Sequence, residues 1–210
     1  MRKLSLTILL IALLITSGCS TKASINAFSE KELYNHPQAG FSIQVPNSWE
    51  KIKETDLGVD FVDKDKGIAA NFLVEIGGLG YLTTDDLAEA LVKAFQLDES
   101  FKNIEIVVSE RSNINVNMNR VIFESIGPKQ QELATKVFVM NYETGIRYYL
   151  VFTAQRDMYY RYDYEFEDLA NTFIITKQSR ELYQLITDSD LPDGHPKIDI
   201  RNQEGKEKEK

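Results

Sequence analysis

Few side chains in this 210-residue chain could carry out chemistry, and those few are scattered. Histidine is the usual general base and metal ligand, and only His36 and His195 are present. The residues around His36 show no sustained apolar period, and His195 lies in a charged, proline-containing stretch near the C-terminus. With no histidine in a patterned segment, neither a nucleophile–histidine–acid triad nor a histidine-based zinc site is expected. The chain reads as a non-enzyme without cofactor or metal.

Three other motifs have the outline of a site. Asp188-Ser189-Asp190-Leu191-Pro192-Asp193-Gly194 sets carboxylates ahead of a glycine, but a calcium loop needs oxygens at alternate positions and a glutamate at the twelfth. Here the third aspartate comes one residue late, Pro192 intrudes, and the twelfth position is Asp199; a solvated acidic turn is expected. Asp63-Lys64-Asp65-Lys66-Gly67 likewise reads as a turn between strands. Gly77-Gly78-Leu79-Gly80 precedes a helix as phosphate loops do, yet the lysine and hydroxyl residue of that motif are missing. Thr83-Thr84-Asp85-Asp86 then puts negative charge where a phosphate would dock.

Two features remain, the tyrosines and the cysteine. Half of the ten tyrosines fall between positions 148 and 162. On a helix over 159–173, Tyr159, Tyr162, Phe166, Leu169, Ala170 and Phe173 share one face, and Tyr160 and Tyr164 point the other way. Tyrosine gives large contact area at low entropic cost, so Tyr160 and Tyr164 are the candidate partner surface. Trp49 is expected in the core.

Cys19 is the single cysteine, and its surroundings give it a role. Met1-Arg2-Lys3 is a basic head, followed from Leu4 to Ile15 by an apolar run of about 12 residues, the layout of an export signal. A spanning helix needs about 20 such residues. Thr16-Ser17-Gly18-Cys19 then resembles the lipobox of bacterial lipoproteins, although Thr16 stands where an aliphatic residue is commoner. That resemblance implies cleavage after residue 18 and transfer of a diacylglycerol unit, with palmitate-class chains, to the Cys19 thiol. Two acyl chains hold a protein on a bilayer where one is marginal. The expected address is the cell membrane, lipid-anchored, on the extracytoplasmic face. An acylated Cys19 leaves no thiol for a disulfide, so an apolar core must supply stability.

The formal charge is −8, and removing Arg2 and Lys3 with the leader makes it −10. No basic stripe is present to release phosphate counterions, so no nucleic-acid partner is expected. The same balance argues against a broad electrostatic grip on anionic lipid.

The elements that must position these residues follow from periodicity. Residues 19–38 read as a tether. Alternation from Phe41 to Val45 predicts a strand; Leu57–Val62 and Ile68–Ile76 form a hairpin. Leu87, Ala88, Leu91, Val92 and Phe95 make one helical stripe ending near Gln96. Four strands follow, over Ile104–Ser109, Arg120–Ile126, Thr135–Tyr142 and Ile146–Ala154, with Glu143-Thr144-Gly145 as a tight turn. A closing helix spans Tyr159–Phe173. Short sequential strands imply an antiparallel meander. The expected fold class is α+β: a single antiparallel sheet of about six to seven strands flanked by helices, over residues 39–175. Residues 176–210 read as an accessory helix over Lys177–Thr187 and a charged tail too polar to offset the entropy of ordering.

Gly40-Phe41-Ser42-Ile43-Gln44-Val45-Pro46-Asn47-Ser48-Trp49 resembles the opening of PsbP-like domains, relatives of the extrinsic subunit of the plant photosystem. The likeness continues through Gly58–Asp63, Asn71–Glu75 and Tyr148–Ala154 to Asn171-Thr172-Phe173. It implies an α/β/α sandwich and a non-catalytic accessory role on a membrane complex, with no binding residues carried over. The function expected is therefore a tethered interaction module docking on another envelope protein or complex. The alternative is a small-ligand or metal binder using a pocket between sheet and helix.

Overall fold

A computed structural model describes residues 30–77, 84–97, 101–111, 118–143, 145–178 and 181–182. Cys19, His195, the Gly78–Gly80 part of the glycine loop and the acidic Asp188–Asp199 stretch lie outside the described residues.

Among the described residues, ten strands and two α-helices run in the order β1 (Lys31–His36), β2 (Phe41–Pro46), β3 (Glu50–Thr55), β4 (Gly58–Asp63), β5 (Ile68–Ile76), α1 (Thr84–Gln96), β6 (Lys102–Arg111), β7 (Met118–Ile126), β8 (Glu132–Glu143), β9 (Ile146–Gln155), α2 (Arg156–Asn171) and β10 (Ile174–Ile175). The class is α+β, as expected, but the strands form two sheets rather than one. Seven pair in the order β3-β4-β5-β9-β8-β7-β6, and β1, β2 and β10 form a separate three-stranded sheet. The long strands of the large sheet all pair antiparallel. From β5 the chain crosses to the far edge through α1, then returns strand by strand until β9 pairs with β5.

Alternation decides which face each side chain meets. Along β9, Ile146, Tyr148, Leu150, Phe152 and Ala154 enter one apolar cluster, with Phe41, Ile43 and Val45 of β2, Trp49, and Tyr159, Tyr162, Phe166, Leu169 and Ala170 of α2. Tyr149 and Val151 face the other way and meet Leu87, Ala88, Leu91 and Phe95 of α1. The large sheet is thus sandwiched, with α2 and the small sheet on one side and α1 on the other. Phe152 stacks on Phe166 at 4.9 Å between ring centres and also meets Trp49.

The Gly40–Trp49 motif has a visible physical basis. Gly40 has φ +70°, and a Cβ there would lie 2.5 Å from Lys177 Cβ. Its carbonyl accepts the Thr176 N–H at 2.8 Å, so the close approach to the segment after α2 calls for glycine. The Tyr148 hydroxyl donates to the Ala39 carbonyl at 3.1 Å, tying the motif to β9.

The sheets reach past the limits expected from sequence. Lys31–His36, read as tether, is a strand in register with Phe41–Pro46. His36 is fully buried, against the expectation that it lies outside the folded part. Its Nδ1 accepts the Ala39 N–H at 3.1 Å, and its Nε2 lies 3.0 Å from the Thr55 carbonyl. Those partners make it a structural pin between the two sheets. Of the proposed accessory helix, Glu181 and Leu182 are described as helical, and Leu182 is fully buried in the main cluster.

Candidate interaction surface

α2 forms because its apolar residues recur at helical spacing, and that spacing leaves an outward face. Tyr160 is 54% exposed and Tyr164 71% exposed, the orientation expected from sequence. The Tyr160 ring is held rather than free. Its hydroxyl donates to Glu124 Oε1 at 2.6 Å, and the ring meets Tyr159 edge-on at 5.1 Å. Arg156 Nε approaches the same Glu124 oxygen at 3.1 Å. The hydrogen bond to Glu124 is the main cause raising the Tyr160 hydroxyl above the ordinary tyrosine value, with burial adding to it.

Glu124 connects this helix face to the edge of the large sheet. It lies on β7 directly opposite Glu105 of β6, the terminal strand. β6 carries Ile106 and Val107, both more than two-fifths exposed. The register shifts between Ile106 and Val108, which leaves Val107 as the extra residue of a bulge. Glu124 thus holds exposed Tyr160 on one side and faces Glu105 of the edge strand on the other.

Beneath this surface lies a buried charge network. Lys136 of β8 is fully buried, and its Nζ sits 2.6 Å from Asp163 Oδ1 and 3.0 Å from Glu167 Oε1. It also donates to the Asp163 carbonyl at 3.2 Å. Arg120 of β7 pairs with Glu167 on α2 and with Glu110 on β6. One chain of charges thus links β6, β7, β8 and α2. Tyr159 packs beside it, and burial followed by the Asp163 carboxylate keeps its hydroxyl protonated far above the usual range.

Other sequence candidates resolve differently. Trp49 is buried at 7% exposure and belongs to the core, as expected. The Asp63–Gly67 segment is the β4–β5 turn: Asp63 accepts the Lys66 N–H at 3.0 Å, the Lys66 ammonium at 2.9 Å and the Ser48 hydroxyl at 3.0 Å. Among the described residues no group of three or more histidine, cysteine, aspartate or glutamate side chains could hold a metal ion, and no helix is long and apolar enough to cross a membrane. Sequence reading missed the contribution of β6 to the surface. The strand over Ile104–Ser109 was expected, but periodicity gives no sign of the bulge that sets Val107 outside the pairing.

The fold has counterparts among solved structures. Cyanobacterial PsbP (CyanoP) from Synechocystis superposes with a TM-score of 0.56 at 13% identity, over 76% of this chain and 98% of that one. The Ran-binding protein Mog1p of Saccharomyces cerevisiae gives a TM-score of 0.54 at 6% identity, over 70% of this chain and 96% of its own. No family model and no curated protein matches the sequence. At such identities the shared property is a PsbP-like fold.

Proposed function

We propose that this chain is a lipid-anchored extracytoplasmic accessory protein that binds another envelope protein without catalysing a reaction. Cys19 carries the diacylglycerol unit, and the folded part is presented at the outer face of the membrane. The observation that carries the binding role is the exposure of Tyr160 and Tyr164 on α2, with Tyr160 bonded to Glu124 of β7, the strand next to the edge strand β6 and its exposed Val107. Tyrosine anchors beside an open strand edge match two recurring modes of protein recognition, aromatic hot spots and strand addition. The resemblance of the Gly40–Trp49 opening to PsbP-like domains supports the accessory role. Of the structural neighbours, one is a cyanobacterial PsbP and the other is named as a Ran-binding protein, a name consistent with an interaction role.

The test has two arms. Mass spectrometry of the native product should find residue 19 as the N-terminal residue bearing a diacylglyceryl thioether; an unmodified thiol in a cytosolic product sinks the address. Cross-linking in intact membranes should then give one dominant protein adduct, lost in a Tyr164→Ala/Val107→Lys variant and kept in a Lys51→Ala variant on the opposite sheet edge. An adduct that persists in both variants removes this flank as the docking site.

A further inference from the structure

Asp60 and Asn71 stand directly opposite each other on β4 and β5. Both are buried, at 1% and 3% exposure, on the sheet face that carries α1. Asn71 Nδ2 donates to Asp60 Oδ1 at short range. The two atoms left over, Asp60 Oδ2 and Asn71 Oδ1, have no hydrogen-bond partner among the described residues. Both are acceptors if the carboxyl is ionised, so neither can satisfy the other. An unsatisfied buried carboxylate oxygen and an unsatisfied buried amide oxygen are each costly. One proton on Oδ2 turns it into a donor, and the Asn71 Oδ1 acceptor that lacks one belongs to the directly opposite residue. The result is a closed acid–amide ring, N–H···O on one side and O–H···O on the other.

We propose that Asp60 keeps its proton at neutral pH and forms a cyclic carboxylic acid–carboxamide pair with Asn71, which makes the β4–β5 ladder sensitive to alkaline pH. The pair lies away from the α2–β6 flank, so this proposal stands independently of the docking role.

The surroundings favour the neutral form, with one opposing charge. Burial is the main influence and raises the carboxyl above its ordinary value; the Asn71 donor and the Lys53 charge act the other way. Lys53 stands opposite Asp60 on β3 and is half-buried. On the same face, Glu75 of β5 accepts from Tyr149 at 2.5 Å and from Arg147 at 3.3 Å, so its charge is already engaged. Asp63, on β4 itself, lies on the opposite face and is held by Ser48 and Lys66. On α1, Asp86, Glu89 and Lys93 are exposed, with Glu89 and Lys93 paired to each other. Lys53 is therefore the group that would have to hold an ionised Asp60.

Linkage fixes the sign of the effect. The folded chain retains a proton that an unfolded aspartate loses above about pH 4. The stabilisation is complete below that pH and is lost as pH rises toward the folded value, at up to about tenfold in the folding constant per pH unit. Equilibrium urea unfolding of the full chain in detergent, wild type against Asp60→Asn, reads it between pH 5 and 9. The amide introduced by Asp60→Asn would present a permanent N–H donor to Asn71, so the variant should be equal or better in stability above pH 7. The wild-type folding constant should fall relative to it as pH rises. A difference between the two that stays constant across the range overturns the proposal. Should the variant fail to fold, the infrared carbonyl stretch of a protonated carboxyl at pH 7 decides for the wild type. Its presence, lost on alkaline titration, supports the ring, and its absence at pH 7 means that Asp60 is ionised beside Lys53.

Discussion

The two edges of the seven-stranded sheet each carry four charged residues and differ in length and in what their middles show. β3 spans six residues, of which Glu50, Lys51, Lys53 and Glu54 are charged. It pairs Lys51 with Glu54, and Lys64 with Glu50, at the surface, and its register shifts between Lys51 and Lys53. Short length, lysines and a bulge are the devices by which edge strands avoid recruiting further strands. β6 spans ten residues and shows water two aliphatics, Ile106 and Val107, in its middle. Its irregularities bend the strand without adding charge at that point. The difference teaches which edge could receive the proposed partner: β3 meets it with charge at its middle, and β6 with exposed aliphatics.

The edges also differ in what supports them, and that gives the largest effect. β6 and α2 are locked together through Arg120, Glu110, Glu167 and Lys136, and the last of these is fully buried. Removing Lys136 leaves Glu167 held by Arg120 and the part-exposed Asp163 without its cation, a loss of charged hydrogen bonds at about 1.5–3 kcal/mol. Lys136→Ala should lose stability on that scale in urea unfolding. Lys51→Ala on β3 removes an exposed pair and should cost below about 1 kcal/mol. Equal losses would show that buried charge does not hold the β6 flank. Next in size is the edge itself. Val107→Lys gives β6 the defence β3 already has and should weaken partner capture at least about tenfold, or about 1.4 kcal/mol, with the unfolding midpoint unchanged. Capture that survives Val107→Lys and disappears with substitutions on β3 would reverse the assignment of the two edges.

How far this contrast could be read beforehand depends on pattern strength. β2, β4, β5, β7, β8 and β9 have long buried runs or clean alternation, and all six were legible together with the Ile104–Ser109 part of β6 and both helices. β3 was not, because charges at four of its six positions erase the apolar period that marks a strand. β1 failed for a related reason: in Lys31-Glu32-Leu33-Tyr34-Asn35-His36 the one aliphatic is the exposed Leu33, and the buried anchor is a histidine. The division into two sheets depends on pairing partners far apart in sequence, such as Ser42 with Ile174, which local periodicity does not encode. Tyr160 and Tyr164 could be placed because helical geometry is regular. The Val107 bulge could not, since a single inserted residue changes parity without changing composition. The Asp60–Asn71 pair was hidden for the same kind of reason: both residues fell within recognised strands, but their facing register was unknown.

A smaller effect tests whether Tyr160 serves the fold or the partner. Tyr160→Phe removes the hydrogen bond to Glu124 and keeps the ring, so stability should fall by about 0.5–1.5 kcal/mol, toward the low end for so exposed a group. Tyr164→Ala should leave the unfolding midpoint within about 0.5 kcal/mol and reduce capture instead. If both changes act on stability alone, α2 offers no anchor and the exposed apolar residues of β6 must account for docking.

The smallest effect lies in the alkaline range and separates the two tyrosines directly. The Glu124 bond raises the Tyr160 hydroxyl above the unfolded value of about 10. The stabilisation from that shift is therefore complete below about pH 10 and is lost as pH rises through the folded value. Buried Tyr148, Tyr149 and Tyr159 are raised as well, chiefly by burial, so a whole-protein absorbance titration would mix them. The difference between wild type and Tyr160→Phe isolates one hydroxyl. Its midpoint should lie above that of free tyrosine and fall back when Glu124→Gln removes the charge. A midpoint indifferent to Glu124 would mean that the ring is not oriented by this contact, and the β6–α2 surface would then present two mobile aromatics instead of one fixed and one free.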